Sequence, residues 1–228
     1  MSKKVFLGIG HGGSDPGAIG NGFEEADLNL AIGQACNSEL IRHGVQVLMS
    51  RTKDENDPLT EEIKECNAFK PDLAIDIHNN AGGGDGAEAF YHYKGGASKT
   101  LADNVLAEIV KAGQNSRGAK IKKNAQGKDY FGFIRETSAP AVIVECAFVD
   151  NKTDIQIIDT AAEQKAMGEA IAKGILKTLG IAYKAPAAPA QTTSGKIYRV
   201  QVGAYSVKAN AEAMQKKLKA AGFDAIIV

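Results

Sequence analysis

Leu73-Ala74-Ile75-Asp76-Ile77-His78-Asn79-Asn80 decides how this chain is read. Leu73, Ala74, Ile75 and Ile77 mark a strand buried on both faces, yet the run ends in a histidine, two asparagines and Ala81-Gly82-Gly83-Gly84. Side chains alternate along a strand, so Leu73, Ile75 and Ile77 face one way and Ala74, Asp76 and His78 the other. A polar group at the carboxyl end of a parallel strand sits where open α/β sheets bind their ligands.

Working outward, strand-like and helix-like patterns alternate. Val5 to Ile9 is a short apolar run that closes on Gly10-His11-Gly12-Gly13. From Asp27 the spacing of Leu28, Ile32 and Ala35 predicts a helix that stops at His43-Gly44, with Gly44 as a left-handed cap. Val45–Met49 reads as a second strand, Pro58–Phe69 as a helix and Glu88–Tyr93 as a fourth strand. Leu101, Val105 and Ile109 mark another helix, 127–138 reads as loop, Ala141–Glu145 as a strand, and Met167, Ile171, Ile175 and Leu179 as a long last helix. Apolar strands separated by helices predict an α/β fold, a mostly parallel twisted sheet covered by helices on both faces.

The texture changes near residue 183. Residues 183–195 are rich in alanine, threonine and proline and carry no run of large apolar side chains, so they read as a semi-extended linker after a domain spanning 1–182. Tyr198–Tyr205 alternates like a strand, Ala211, Met214, Leu218 and Ala221 have helical spacing, and Ala225-Ile226-Ile227-Val228 starts another strand. One strand, one helix and a strand that ends with the chain are too little for an independent core. Residues 196–228 are therefore expected to be part of a truncated α+β module, with edges free to pair with another chain.

Lys+Arg 27 balances Asp+Glu 27, so no overall basic field draws in nucleic acid or an anionic membrane. Cys36, Cys66 and Cys146 lack metal or disulfide spacing and are expected to be buried thiols. The apolar run after Lys3-Lys4 breaks at Gly8, which is short for a secretory signal, and no segment approaches the ~18 apolar residues of a membrane span.

Two histidines, His11 and His78, each close a strand and are each followed by small residues. Neutral imidazole is a common metal ligand, and an open zinc site adds a third N or O donor. Glu24, Glu25 and Asp27 cluster just past a Gly20-Asn21-Gly22 turn. They can supply that donor, or simply complement the dipole of the following helix. Glu145 ends a strongly apolar strand; burial would raise its pKa, which suits either a structural ion pair or a general base beside a metal-activated water. His43 reads as a helix cap and His92 as cross-strand packing between Tyr91 and Tyr93.

Four ordered blocks then carry a resemblance: Gly10-His11-Gly12-Gly13-Ser14-Asp15-Pro16-Gly17-Ala18, Glu25-Ala26-Asp27-Leu28-Asn29-Leu30-Ala31, Asp76-Ile77-His78-Asn79-Asn80 and Val144-Glu145-Cys146-Ala147-Phe148-Val149-Asp150-Asn151. Together they resemble the zinc-dependent N-acetylmuramoyl-L-alanine amidases of the amidase-3 type, over roughly residues 3–181. The resemblance implies that His11, Glu25 and His78 bind zinc, that Glu145 is the catalytic glutamate, and that the substrate is the amide between N-acetylmuramic acid and the L-alanine of the peptidoglycan stem peptide. Asn80 is expected to position the peptide, and Gly82-Gly83-Gly84 to keep the cleft open. Gly8-Ile9 and Asp76 depart from the family pattern, which usually has aspartate and proline at the first site and serine at the second. Tyr198–Tyr205 resembles the opening of a sporulation-related repeat (SPOR) domain, a peptidoglycan-binding module. The alternatives are another zinc peptidase of the cell wall and a non-catalytic wall-binding protein. Without an ordinary signal peptide, the expected settings are a phage endolysin or a bacterial autolysin reaching the wall after the membrane is breached.

Overall fold

The protein is described by a computed structural model over residues 2–186, 201–220, 222–223 and 225–227. In chain order the first unit holds β1 (Lys4–Ile9), β2 (Ile19–Gly20), β3 (Phe23–Glu24), α1 (Glu25–Arg42), β4 (Gln46–Met49), α2 (Leu59–Phe69) and β5 (Leu73–Asn80). It continues with β6 (Ala87–Tyr91), α3 (Ala97–Lys111), β7 (Ser116–Lys120), α4 (Gly132–Glu136), β8 (Ala141–Phe148) and α5 (Ala161–Thr178). The main sheet runs β4-β1-β5-β8-β6-β7. Every neighbouring pair is parallel except β6 with β8. The chain fits the expectation of a mostly parallel sheet.

The alternation read from β5 is what the sheet uses. Leu73, Ile75 and Ile77 join Val5, Leu7, Ile9, Val142 and Val144 in a core under α1, α3 and α5. Ala74 joins Phe6, Ile143, Ile63 and Phe133 in a second core, under α2 and α4 on the opposite face. Asp76 and His78 belong to that second face. Both faces are covered, and all three cysteines are buried free thiols.

Local signals explain most boundaries. Asn21 and Gly22, both with positive φ, form the two-residue turn between β2 and β3 and deliver the chain into α1. His43 is the C-cap of α1 and Gly44 follows at φ 77°. Thr160 and Glu163 form a reciprocal capping box at the start of α5. Pro58 stands just outside α2, as its N-cap.

Three details differ from the pattern reading. Within 127–138, expected to be loop, Gly132–Glu136 makes one turn of helix that buries Phe133 and Ile134. Ser116–Lys120 is a strand despite having no apolar run, because at the sheet edge only one side needs a ladder partner. In the second compact unit, 185–228, α6 (Lys208–Ala220) follows the expected helical spacing. The expected strand at Tyr198–Tyr205 lies partly outside the described residues; 201–205 and 225–227 carry no strand, and no partner strand is described beside them to supply the ladder.

Helix α5 approaches its neighbours through glycines. A methyl group on Gly168 would lie 2.4 Å from the Ile32 carbonyl oxygen of α1, and one on Gly174 would lie 2.5 Å from the Val105 Cα of α3. Backbone cannot move aside as a side-chain tip can. Gly168→Ala and Gly174→Ala are each expected to lose about 1–3 kcal/mol in urea unfolding despite the better helix propensity of alanine.

Candidate metal centre

Three strand and helix ends meet at the carboxyl edge of the sheet. After β1 the chain turns at Gly10, and His11 takes a left-handed conformation at φ 63°, uncommon for a residue with a side chain. Glu25 opens α1 and is 4% exposed. His78 lies on β5, and its ring covers Gly10 so closely that a methyl group there would sit 2.1 Å from Cε1.

The two imidazoles cross edge to face, with centroids 5.1 Å apart. His78 Nδ1 is 2.9 Å from Glu25 Oε1, and His11 Nε2 is 3.3 Å from Glu25 Oε2. One donor atom from each of His11, Glu25 and His78 lies within 4.8 Å of the others, so the three could hold a metal ion. The other ring nitrogens turn away to aspartates: His11 Nδ1 is 2.8 Å from Asp15 Oδ2, and His78 Nε2 is 3.1 Å from Asp76 Oδ2. Glu24 and Asp27, the rival acids, are exposed.

Glu25 is held by more than the histidines. The N–H of Ala18 donates to Oε2 at 2.9 Å and the N–H of Asn79 to Oε1 at 3.0 Å. Asn29 donates to Oε1 at 3.3 Å and to the Gly10 carbonyl at 2.9 Å, and receives Asn79 Nδ2 at 2.8 Å. Burial alone would raise the Glu25 pKa, but hydrogen bonds from His11 and His78 hold it well below the usual carboxylate range. Hydrogen bonding to Glu25 in turn raises His11 against the effect of burial. Burial opposes the charge of His78, yet Asp76, Glu25 and Glu145 together raise it well above an ordinary imidazole.

Glu145 on β8 is the direct register partner of His78. Burial pushes its pKa up to about 7; the His78 charge opposes the shift, and Glu25, Asp76 and Glu88 add to it. Across the antiparallel pair Glu88 opposes Glu145. Glu88 accepts from Asn80 Nδ2 at 3.0 Å, from Arg117 Nε at 2.8 Å and from Lys120 Nζ. Gly82 and Gly83 do not hang open: both N–H groups donate to Asp150 Oδ2, at 2.8 and 2.9 Å, and Gly84 lies against the Phe148 ring. His92 lies 3.2 Å from Asp129 and stacks on Tyr93, away from the centre. A cavity of about 550 Å³ opens beside the centre, walled by Leu59, Phe131 and Ile143 and reaching His11, Asp76 and His78.

Residues 5–177 match the profile of the N-acetylmuramoyl-L-alanine amidases, and residues 169–228 that of the SPOR domain. The chain belongs to the N-acetylmuramoyl-L-alanine amidase family. This amidase is 32% identical over 228 residues to the sporulation-specific N-acetylmuramoyl-L-alanine amidase of Bacillus subtilis (strain 168), covering 99% of this chain and 84% of that protein. It is 34% identical over 215 residues to the endolysin of Bacillus phage SPP1, covering 89% and 77%. Among solved structures, the amidase AmiC2 of Nostoc punctiforme superposes with a TM-score of 0.71 at 30% identity, covering 78% of this chain and 97% of that one.

Arg51 was missed by pattern reading, yet it ties this amidase's centre together. It is 2% exposed, and its guanidinium donates to the carbonyls of Ile9 at 3.0 Å, Lys53 at 3.2 Å, Gly10 at 3.2 Å and Ala26 at 2.7 Å. The Ile9, Gly10 and Ala26 carbonyls flank His11 and Glu25, so one side chain ties the first strand end to the head of α1. A charged residue directly after the apolar strand Val45–Met49 was the available signal. Arg51→Met, which keeps the length and removes the donors, is expected to lose at least about 1–3 kcal/mol in urea unfolding. It should also weaken divalent-metal uptake measured by chelator competition.

Proposed function

We propose that this amidase is a zinc hydrolase in which His11, Glu25 and His78 hold the metal and Glu145 carries the proton. The bond cleaved is the amide between the lactyl carbonyl of N-acetylmuramic acid and the L-alanine nitrogen of the peptidoglycan stem peptide. The observation that carries this reading is the meeting of three ligand-type side chains, from the loop after β1, from α1 and from β5, with His78 the register partner of Glu145. Two imidazole nitrogens and one carboxylate oxygen are the donor types of open zinc sites, and three protein ligands leave a position for substrate or solvent. Glu25 suits the ion by charge: despite burial, hydrogen bonds from His11, His78 and the Ala18 N–H hold it below the usual carboxylate range.

Zinc, when bound, supplies a Lewis acid that polarises the scissile carbonyl and acidifies a water. Glu145 takes the proton of the attacking water onto a carboxylate oxygen. It then delivers that proton to the alanine nitrogen as the C–N bond breaks, leaving a lactyl carboxylate and a free amine. Burial and the neighbouring acids Glu25, Asp76 and Glu88 raise the proton affinity of Glu145 above that of an ordinary carboxylate, which suits a group that must take a proton and give it back. Asn80 uses one N–H of its carboxamide on Glu88; the second N–H is assigned to a peptide carbonyl.

Residues 1–182 would then be the catalytic domain, 183–195 a linker and 196–228 part of a peptidoglycan-binding module. No helix among the described residues is long and apolar enough to cross a membrane. The relatives include a sporulation-specific amidase and a phage endolysin, which supports action on the cell wall after lysis or permeabilisation, as autolysin or endolysin.

Digestion of purified peptidoglycan followed by mass analysis tests the cleavage site: intact stem peptides with N-terminal L-alanine are expected, and fragments cut within the stem would point to a peptidase. Glu145→Gln should lower kcat by about 10²–10⁴-fold with one zinc still bound. Full turnover by that variant would remove Glu145 from its role. Chelation should abolish activity, and added zinc should restore it. Because the base must be ionised, kcat rises with pH through the Glu145 titration. That lies at about 7 in the metal-free protein and lower once a cation beside it favours the carboxylate.

A further inference from the structure

Two buried carboxyl oxygens on the α2 face lack any donor. Asp76, 3% exposed, points Oδ2 at His78 Nε2 and leaves Oδ1 without a partner. Glu62 on α2, 5% exposed, likewise leaves Oε1 without a partner. Both orphan oxygens occupy the space above Gly8, the register partner of Asp76 across β1 and β5. A methyl group on Gly8 would lie 2.0 Å from Glu62 Oε1 and 2.8 Å from Asp76 Oδ1. No side chain other than hydrogen leaves room for this pair.

Resting on the zinc reading above, we propose that Asp76 is a positioning residue for the metal centre: it accepts from His78 Nε2–H, fixes the tautomer whose Nδ1 faces Glu25 and His11, and is itself held in place by Glu62 over Gly8. The chemistry follows from the donor inventory. A neutral imidazole carries its hydrogen on one nitrogen only, so a carboxylate that binds Nε2–H leaves the Nδ1 lone pair free for an ion. Glu62 shares the space above Gly8; burial, and then the charges of Asp76 and Asp57, raise its pKa well above the ordinary carboxylate value, and as a neutral acid it has one O–H to offer Asp76 Oδ1. His11 is served differently, by Asp15, which is exposed on the loop. The two histidines are therefore oriented by one buried carboxylate and one exposed carboxylate.

The test uses the full chain and zinc alone as ligand. Zinc affinity is measured by chelator competition at fixed pH, and the hydrogen on His78 is located by long-range proton–nitrogen NMR of the zinc-loaded protein. The parent is expected to bind one zinc with the His78 hydrogen on Nε2. Asp76→Asn and Gly8→Ala, which reach the carboxylate by different routes, should each weaken zinc by about 10–100-fold, the usual cost of losing a partner behind a metal ligand. Glu62→Gln keeps a donor facing Asp76 and should remain within about threefold of the parent. That rescue separates positioning from general damage to the fold. Zinc affinity of Asp76→Asn equal to that of the parent, or a His78 hydrogen on Nδ1, would overturn the assignment while leaving the metal centre intact. A parent that takes up no zinc would overturn both.

Discussion

A carboxylate shut away from water has to be compensated where it stands, and Glu25 is the group on which the centre depends. It is 4% exposed and receives two imidazoles, two backbone N–H groups and a carboxamide. These donors come from three separate stretches of chain. The loop after β1 supplies His11 and Ala18, α1 supplies Asn29, and β5 supplies His78 and Asn79. Satisfying one buried charge therefore fixes the relative placement of three elements.

That convergence is possible because the backbone is bare where side chains must lie flat on it. The His78 ring rests on Gly10, and the Glu62 and Asp76 carboxyls rest on Gly8. The strand β1 thus alternates not only inward and outward but also occupied and vacant. Phe6 fills the second core with its own side chain, while Gly8 and Gly10 on the same face yield their space to residues from α2 and β5. Packing and chemistry share one face of one strand.

How much was legible follows from this division. His11, His78 and Glu145 could be found because each interrupts or closes an apolar strand, a position where a polar group needs a reason. Choosing Glu25 over Glu24 was beyond spacing alone, since the two differ by a single step around the start of a helix. Family resemblance separated them, and burial of one with exposure of the other is the physical difference. Asp15, Asn29, Glu62 and Arg51 left weaker traces. Asp15 meets His11 only four residues away, but through a loop that has no periodicity, and the partners of Asn29, Glu62 and Arg51 include residues far along the chain that no periodicity records. β7 was missed for the same reason: Ser116-Arg117-Gly118-Ala119-Lys120 has no apolar alternation, and only its neighbour β6 makes it a strand.

The two acids at the centre show how one neighbourhood yields opposite chemistry. Glu25 is buried, Glu145 half-buried, and both lie near His78, yet Glu25 is driven below the carboxylate range and Glu145 up to about 7. The difference lies in donors. Glu25 accepts N–H groups at both oxygens, which stabilise only the charged form. Glu145 feels mainly desolvation and the neighbouring acids Glu25, Asp76 and Glu88. A carboxylate held ionised at all working pH values is a poor proton carrier and a good anchor for a cation. One balanced near neutrality is suited to taking a proton and giving it back. The separation of roles between anchor and base thus follows from where N–H groups point, and exchanging the two glutamates in sequence terms would not exchange their function.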